Sequence, residues 1–265
     1  MRLSKYILLE GSDYENPGRG KEISMEEAIK IAPKFSEAIN ASTVITRVSS
    51  TAERYSYYLV DPKKSKVKRG SRNTLNYYTE IIDNSSSWKK YPKRSESLIA
   101  SANRKYGLRL LPKNGSKIGV CPSPDFWFSF LNSFEYSMDR INDALDEIFR
   151  RSNDMISKFD KSLESIKTAC KNFDNWYENQ EDIKNMIERE FGKRWTADNV
   201  RNLLKDYKGN LFKMIESKLS SDKNGFKLIT TSNIDSISGK VKEIWTDGES
   251  LMVRCDEWQK FYKEV

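Results

Sequence analysis

The sequence predicts an α+β fold, a mixed β-sheet core formed by the N-terminal and C-terminal segments with a large helical insertion between them. Three observations predict it. Alternating, β-branched runs are confined to the two ends of the chain, the middle carries apolar residues at spacings of three and four, and the tail returns to alternation around Asp247-Gly248. The expected division is residues 1–122 as the N-terminal part of an α/β core, 123–224 as a helical insertion or bundle, and 225–265 as strands that complete the core.

The elements follow in order. Tyr6–Leu9 reads as a short strand, and a Gly/Pro/Asn loop ends it. Ser24 and Glu27 form a capping-box pattern that opens a helix to about Asn40, with Pro33 as a kink or break. VITRVSS and RYSYYLVD read as strands, and a basic loop from Pro62 to Arg72 follows them. TLNYYTEIIDN reads as a short helix. YGLRLLP and SKIGVCP read as paired strands around the Lys113-Asn114-Gly115 turn. From Trp127 to Ile148, and again from Met155 to Phe173, apolar residues recur at helical spacing. Further helices are expected near 180–191 and 196–220, the last capped by Thr196 or Asp198. Asp247-Gly248 predicts a hairpin between two apolar arms.

Composition narrows the chemistry. The chain has 265 residues, of which 37% are hydrophobic and 12% aromatic, so a core is possible only if the aromatic rings fill it. Its formal net charge is +8. Lys63, Lys64, Lys66, Lys68, Arg69 and Arg72 form one basic cluster, and Lys89, Lys90, Lys93, Arg94, Arg104 and Lys105 form another, a distribution that favours polyanions. The three cysteines are scattered and form no CxxC, which suggests neither a disulfide framework nor a zinc knuckle and fits a reducing cytoplasm. No apolar run is long enough to span a membrane, and the N-terminal run is too short for a signal peptide. Histidine is absent, which excludes Ser-His-Asp triads, Cys-His dyads and histidine metal sites. An enzyme built from this chain must work with carboxylates, hydroxyls, Lys, Arg or Tyr.

Three polar features lie in or beside predicted strands: Arg47 inside VITRVSS, Ser95 and Ser97 at the start of SLIAS, and Glu243 inside VKEIW. A charge within a strand must reach a sheet end, a cleft or a partner, because burying it unpaired is costly. In that order the features resemble the ADP-ribosyltransferase superfamily, in its Arg–Ser–Glu branch, whose members carry an arginine on an early strand, a Ser-x-Ser strand start and a glutamate on a late strand. The match covers about residues 40–122 and 226–255. The phrasing NYYTEIIDN…WKKYPKRS is similar to that of uncharacterised bacteriophage proteins of this type.

The resemblance implies a transferase of the glycosyltransferase class, with NAD as substrate and Arg47, Ser95 and Glu243 as catalytic residues. Arg47, Ser95, Ser97, Tyr77, Tyr78 and Arg94 would bind the dinucleotide, and no metal is expected. An arginine suits the diphosphate, a serine hydroxyl holds ribose or carboxamide, and a fixed carboxylate stabilises the ribosyl cation as nicotinamide leaves. Tyr77 and Tyr78 are candidates to stack on nicotinamide, and Lys93 and Arg94 to draw in phosphate. Val241 stands where arginine-modifying members carry a second Glu or Gln, so a protein arginine is not the expected acceptor. Glu249 and Asp125 are rival carboxylates. The basic surface favours nucleic acid or a nucleic-acid-associated protein as acceptor, in a phage effector or counter-defence role in the host cytoplasm. The alternative is a non-enzymatic nucleic-acid-binding or inhibitor protein, with tyrosines interleaved among the basic residues for base stacking. A Mg²⁺ nuclease ranks last, because the strand regions hold no tight acidic cluster.

Overall fold

The computed structural model describes residues 20–48, 56–64, 76–104, 106–130, 206–208, 210–237 and 239–265, with a few helical residues within 163–171. The predicted strand at Tyr6–Leu9, most of the basic loop and most of the helical insertion expected over 123–224 lie outside the described residues. Contacts divide the chain into two units. One comprises Met1–Asn73, Lys89–Ser129 and Gly225–Val265, and the other Thr74–Trp88 and Phe130–Asn224.

The first unit is built on a nine-stranded sheet. Its strands are β1 (Gly20–Glu22), β2 (Ile45–Arg47), β3 (Tyr57–Val60), β4 (Leu98–Ala102), β5 (Leu108–Pro112), β6 (Lys117–Val120), β7 (Lys227–Thr230), β8 (Lys242–Thr246) and β9 (Ser250–Arg254). Their order across the sheet is β1-β3-β9-β5-β2-β4-β8-β6-β7. N-terminal and C-terminal segments thus share one sheet. The sheet is antiparallel at every pairing, and not mixed as the sequence suggests. A parallel pair needs a crossover that brings the chain back to the same end of its neighbour. The long segment after β6 instead returns β7 in the opposite direction, with Ile118 opposite Ile229.

Two predicted hairpins are also corrected. β5 does not pair with β6, nor β8 with β9. The two halves of each form one bent path, and the two paths run antiparallel, with Pro112 opposite Ser250 before the bend and Gly119 opposite Trp245 after it. Lys113 N donates to the Glu249 carbonyl at 2.9 Å and Thr246 Oγ1 to the Lys117 carbonyl at 2.8 Å, so bonding continues through the bend. A Cβ on Gly248 would lie 2.2 Å from Ser116 Oγ, so glycine lets the paths cross closely here. The Asp-Gly and Lys-Asn-Gly signals mark turns correctly. They do not tell a reversal from a bend, because both arms are buried in either case.

The bend is held from outside by the N-terminal helices. Ser24 caps α1 (Met25–Ile31) by accepting from Glu27 N at 3.1 Å, while the Glu27 carboxylate pairs with Lys21 in place of closing the capping box. Pro33 ends α1 in a 3-10 turn, Ala32–Phe35, before α2 (Ser36–Asn40). Asn114 Nδ2 donates to the Pro33 carbonyl at 3.1 Å and to Ser36 Oγ at 3.0 Å, and its Oδ1 accepts from Glu37 N. The Glu37 carboxylate in turn accepts from Gly115 N at 3.0 Å and from the Thr231 hydroxyl. Ala28, Phe35 and Ile39 of these helices share a core with Ile45, Ala100, Leu110, Ile244 and Met252. Each larger apolar side chain buried there contributes about 1.5–3 kcal/mol. On the opposite face α5 (Trp258–Tyr262), which follows α3 (Asn76–Asn84) and α4 (Leu211–Lys218) of the second unit in the chain, sets Phe261 6.0 Å from the Tyr57 ring.

The hydrogen bond from Thr231, then that from Gly115, hold the Glu37 carboxyl below its usual range. A depressed folded-state pKa stabilises above the unfolded value, and the contribution is lost as pH falls through the folded one. Thr231→Val should therefore lower the thermal midpoint at neutral pH and narrow the gap between neutral pH and about pH 3. A gap as wide as in the wild type would show that Glu37 is not a source of the acid sensitivity.

In the second unit the TLNYYTEIIDN segment forms α3 (Asn76–Asn84), followed by a 3-10 turn at Ser86–Trp88. The helix expected over 196–220 is not continuous. A turn at 206–208, with Lys208 at φ 54°, precedes α4 (Leu211–Lys218). Its cap is Asn210, whose Oδ1 accepts from Lys213 N at 2.8 Å; the expected caps Thr196 and Asp198 lie outside the described residues. Trp88 Nε1 donates to the Leu219 carbonyl at 2.7 Å and Ser221 Oγ to the Ser87 carbonyl at 2.7 Å, so the 3-10 turn docks on the end of α4.

Candidate functional site

The opening of β4 is set by a short polar turn. Lys93 is extended, Arg94–Glu96 make a single 3-10 turn, and Ser97 leads into the strand. Ser97 Oγ donates to the Lys93 carbonyl at 2.6 Å and Ser97 N to the Arg94 carbonyl at 3.4 Å, which closes the turn on itself. Ser95 and Ser97 are both buried. The preceding Tyr91-Pro92 anchors the turn. Tyr91 stacks on Trp245 at 5.9 Å and its hydroxyl donates to the Phe226 carbonyl, while Trp245 Nε1 donates to the Pro92 carbonyl at 2.9 Å. The indole lies over Gly119 on the neighbouring strand, where a Cβ would come within 2.2 Å of the ring. Only a glycine admits Trp245 in that position.

Arg94, placed by this turn, reaches Glu243 on β8. Arg94 Nη2 lies 2.6 Å from Glu243 Oε1, and the two side chains are 2% and 7% exposed. Glu243 Oε2 accepts from Phe126 N at 3.0 Å. The guanidinium carbon sits 3.7 Å from the centre of the Phe126 ring and 5.8 Å from that of Trp245. Phe126 also packs edge-on to Trp245 at 5.5 Å and against Phe226 at 5.1 Å. The chain is brought there by backbone bonds on both sides of Glu243: its carbonyl accepts from Cys121 N and its N–H donates to the Ser123 carbonyl. Glu243 and Arg94 are thus a desolvated ion pair in an aromatic enclosure.

The register extends a polar row from this pair. Glu243 lies opposite Ser101 on β4, Ser101 opposite Thr46 on β2, and Thr46 opposite Arg109 on β5. These four residues share one face of the sheet. Ser101 and Arg109 are half-buried, while Thr46 and Glu243 are buried.

The predicted residues are distributed as follows. Arg47, Ser95-x-Ser97 and Glu243 fall on β2, at the entry to β4 and on β8, three adjacent strands. Ser95 and Glu243 are linked through Arg94, which follows Lys93 in sequence but is not the phosphate-drawing surface charge expected there. Its guanidinium is turned inward because the 3-10 turn aims it at Glu243. Arg47 is buried at the end of β2 and donates from Nη1 to the Ile99 carbonyl. Arg47 is paired with Leu108, so strand alternation puts it on the opposite face from Thr46 and Glu243. The side chains of Tyr77 and Tyr78 lie outside the described residues, and their helix α3 belongs to the second unit. Of the rivals, Glu249 sits in the bend with Lys113 Nζ 4.0 Å away, and Asp125 Oδ1 accepts from Phe128 N. Phe126, Trp245, Ser101, Thr46 and Arg109 are not singled out by the sequence. Ser101 is legible there, since alternation from Ser97 and Ile99 places it on the face of Glu243 once β4 and β8 pair.

Comparison with protein-family models, curated proteins and solved structures gives no match for this chain.

Proposed function

We propose that the protein is an ADP-ribosyltransferase-like enzyme that moves ADP-ribose from NAD to a macromolecular acceptor, nucleic acid or a nucleic-acid-associated protein. The observation that supports this is the adjacency of β2, β4 and β8, whose arginine, Ser-x-Ser and glutamate segments lie side by side although nearly 200 residues separate the first from the last. In the reaction the bond from ribose C1′ to the nicotinamide nitrogen breaks and its electron pair leaves with nicotinamide. An acceptor nucleophile then bonds to C1′ and gives up its proton to a base. Glu243, the carboxylate partner of Arg94, would hold the ribose 2′-hydroxyl and the developing cation. Because Glu243 is 5% exposed, the reading requires the 121–126 segment to withdraw from it before NAD enters. The phage effector role and cytoplasmic location remain part of this proposal; among the described residues no helix is long and apolar enough to cross a membrane.

The test is nicotinamide release from NAD by the purified protein, wild type beside Glu243→Gln, with and without nucleic acid. The expected result is a loss of about 10²-fold or more in turnover for a variant that retains a cooperative thermal transition. Equal release by both proteins, or none by either, ends the proposal.

A second reading has an observation of its own. Both oxygens of Glu243 are engaged, which suits a structural ion pair in a non-enzymatic nucleic-acid-binding protein. Under that reading Glu243→Gln alters stability alone and leaves binding to nucleic acid unchanged wherever the protein is folded.

A further inference from the structure

Arginines of the sheet unit receive carboxylates from the fold. Arg94 has Glu243, and Arg254 on β9 has Asp256 at 2.6 Å and Glu257 at 3.6 Å. Arg109 and Arg104 receive none among the described residues, and each lies instead against an aromatic ring. The Arg109 guanidinium carbon sits 4.0 Å from the Trp258 ring centre, and that of Arg104 5.4 Å from Tyr106. Arg109 is half-buried, and burial lowers its pKa, so it carries a desolvation cost that no carboxylate among the described residues offsets.

The two stacks are neighbours. Arg109 lies opposite Thr46, and the Thr46 hydroxyl donates to the Arg104 carbonyl at 3.4 Å. On one side Asn103, at φ 63°, donates from N to the Val44 carbonyl just before β2, and on the other Gly107, at φ 101°, meets the end of that strand. A Cβ on Gly107 would lie 2.5 Å from the Arg47 carbonyl oxygen, so the loop is held close to the strand end. Tyr106 is 58% exposed, and Tyr262, 5.4 Å from Trp258 by ring centres, is 48% exposed.

We propose that Arg104, Tyr106, Arg109 and Tyr262 form a binding surface for single-stranded nucleic acid, with the arginines on phosphates and the tyrosine rings on bases. Exposed tyrosine rings beside cations that no carboxylate among the described residues pairs match a nucleotide chain, which presents a base and a phosphate at each repeat. An acidic peptide would satisfy the arginines and leave the rings unused. The surface does not depend on the transfer reaction, and its test does not use NAD.

The experiment is fluorescence anisotropy of a labelled oligothymidylate against the full chain, across a salt series, with polyglutamate as competitor. The variants are Tyr106→Ala, on an exposed loop where folding is not at stake, and Arg104→Gln/Arg109→Gln. The charge-matched control is Lys30→Gln/Lys34→Gln on the N-terminal helical segment. Tyr106→Ala should weaken binding about tenfold. The double arginine variant should weaken it further and flatten the log–log salt slope by roughly 0.7 for each phosphate no longer neutralised. The control should bind as wild type. The proposal is overturned if the wild type does not bind, if the control loses as much as the arginine variant, if Tyr106→Ala binds like wild type, or if polyglutamate competes as well as unlabelled oligonucleotide.

Discussion

Arg94→Met is expected to destabilise the sheet unit by about 3–5 kcal/mol, the cost of leaving a buried charge without its partner. The substitution keeps an unbranched side chain against Phe126 and Trp245, so little of the loss comes from an empty volume. What it removes is the cation 2.6 Å from Glu243 Oε1, in a site where both side chains are almost fully excluded from water. The Phe126 N–H bond to Oε2 would remain, without a cation on Oε1. Glu243 has two escapes: it takes up a proton, or the enclosure opens to water. Pairing the substitution with Glu243→Met distinguishes a missing partner from a missing side chain. If the cost is the orphaned charge, the double variant should recover most of the stability, because buried ion pairs replaced by apolar residues of similar volume are often neutral or stabilising. Urea denaturation of the four proteins in the cycle reads the coupling directly. Additive losses would mean that Arg94 acts through its packing on Phe126, and that the ion pair contributes little.

The pair also shows how far the sequence can be read. Arg47, Ser95 and Glu243 stand out because charges and hydroxyls in predicted strands need a reason to be there, and their strands are indeed neighbours. Arg94 stands out too, but as a charge for phosphate beside Ser95 and not as the buried partner of Glu243. Arg94 lies in a run of basic residues, Lys89, Lys90, Lys93 and Arg94, and nothing in that local pattern distinguishes the one that turns inward. The distinction is made by the 3-10 turn and by Trp245, distant in sequence, so it becomes legible only when β4 and β8 are known to pair. The sheet follows the same rule. Strand existence is read from alternation, and the Pro33 break and the Ser24 cap from local chemistry. Register, the antiparallel sense and the bends at Lys113–Gly115 and Asp247–Gly248 are long-range facts. A one-residue change of register would put Glu243 on the helix-covered face, and no local pattern excludes that.

Phe126→Leu separates the two meanings of Glu243. The Phe126 ring covers the guanidinium and touches Trp245 and Phe226, while its backbone N–H binds the carboxylate. Shortening the ring to leucine keeps the backbone bond and an apolar side chain. It removes the aromatic face under Arg94 and the edge packing, and is expected to cost roughly 1–3 kcal/mol, less than the 3–5 kcal/mol of a full truncation to alanine. The sign of its effect on chemistry is the informative part. If Glu243 is the carboxylate that serves the ribosyl cation, the enclosure is a barrier that NAD must open, and weakening it should raise nicotinamide release at low NAD while the folded fraction stays near unity. Because the gain lies in opening, it should emerge as a lower KM before any change in kcat. If Glu243 is only the counter-ion of Arg94, the same variant loses stability and gains nothing in NAD turnover. A tryptophan emission spectrum monitors the step in between, since Trp245 is almost fully excluded from solvent and should shift to the red as the cover loosens. A red shift with faster release supports a covered catalytic carboxylate. A red shift with no release at any NAD concentration leaves the ion pair as a structural clasp between the Ser95 turn and β8.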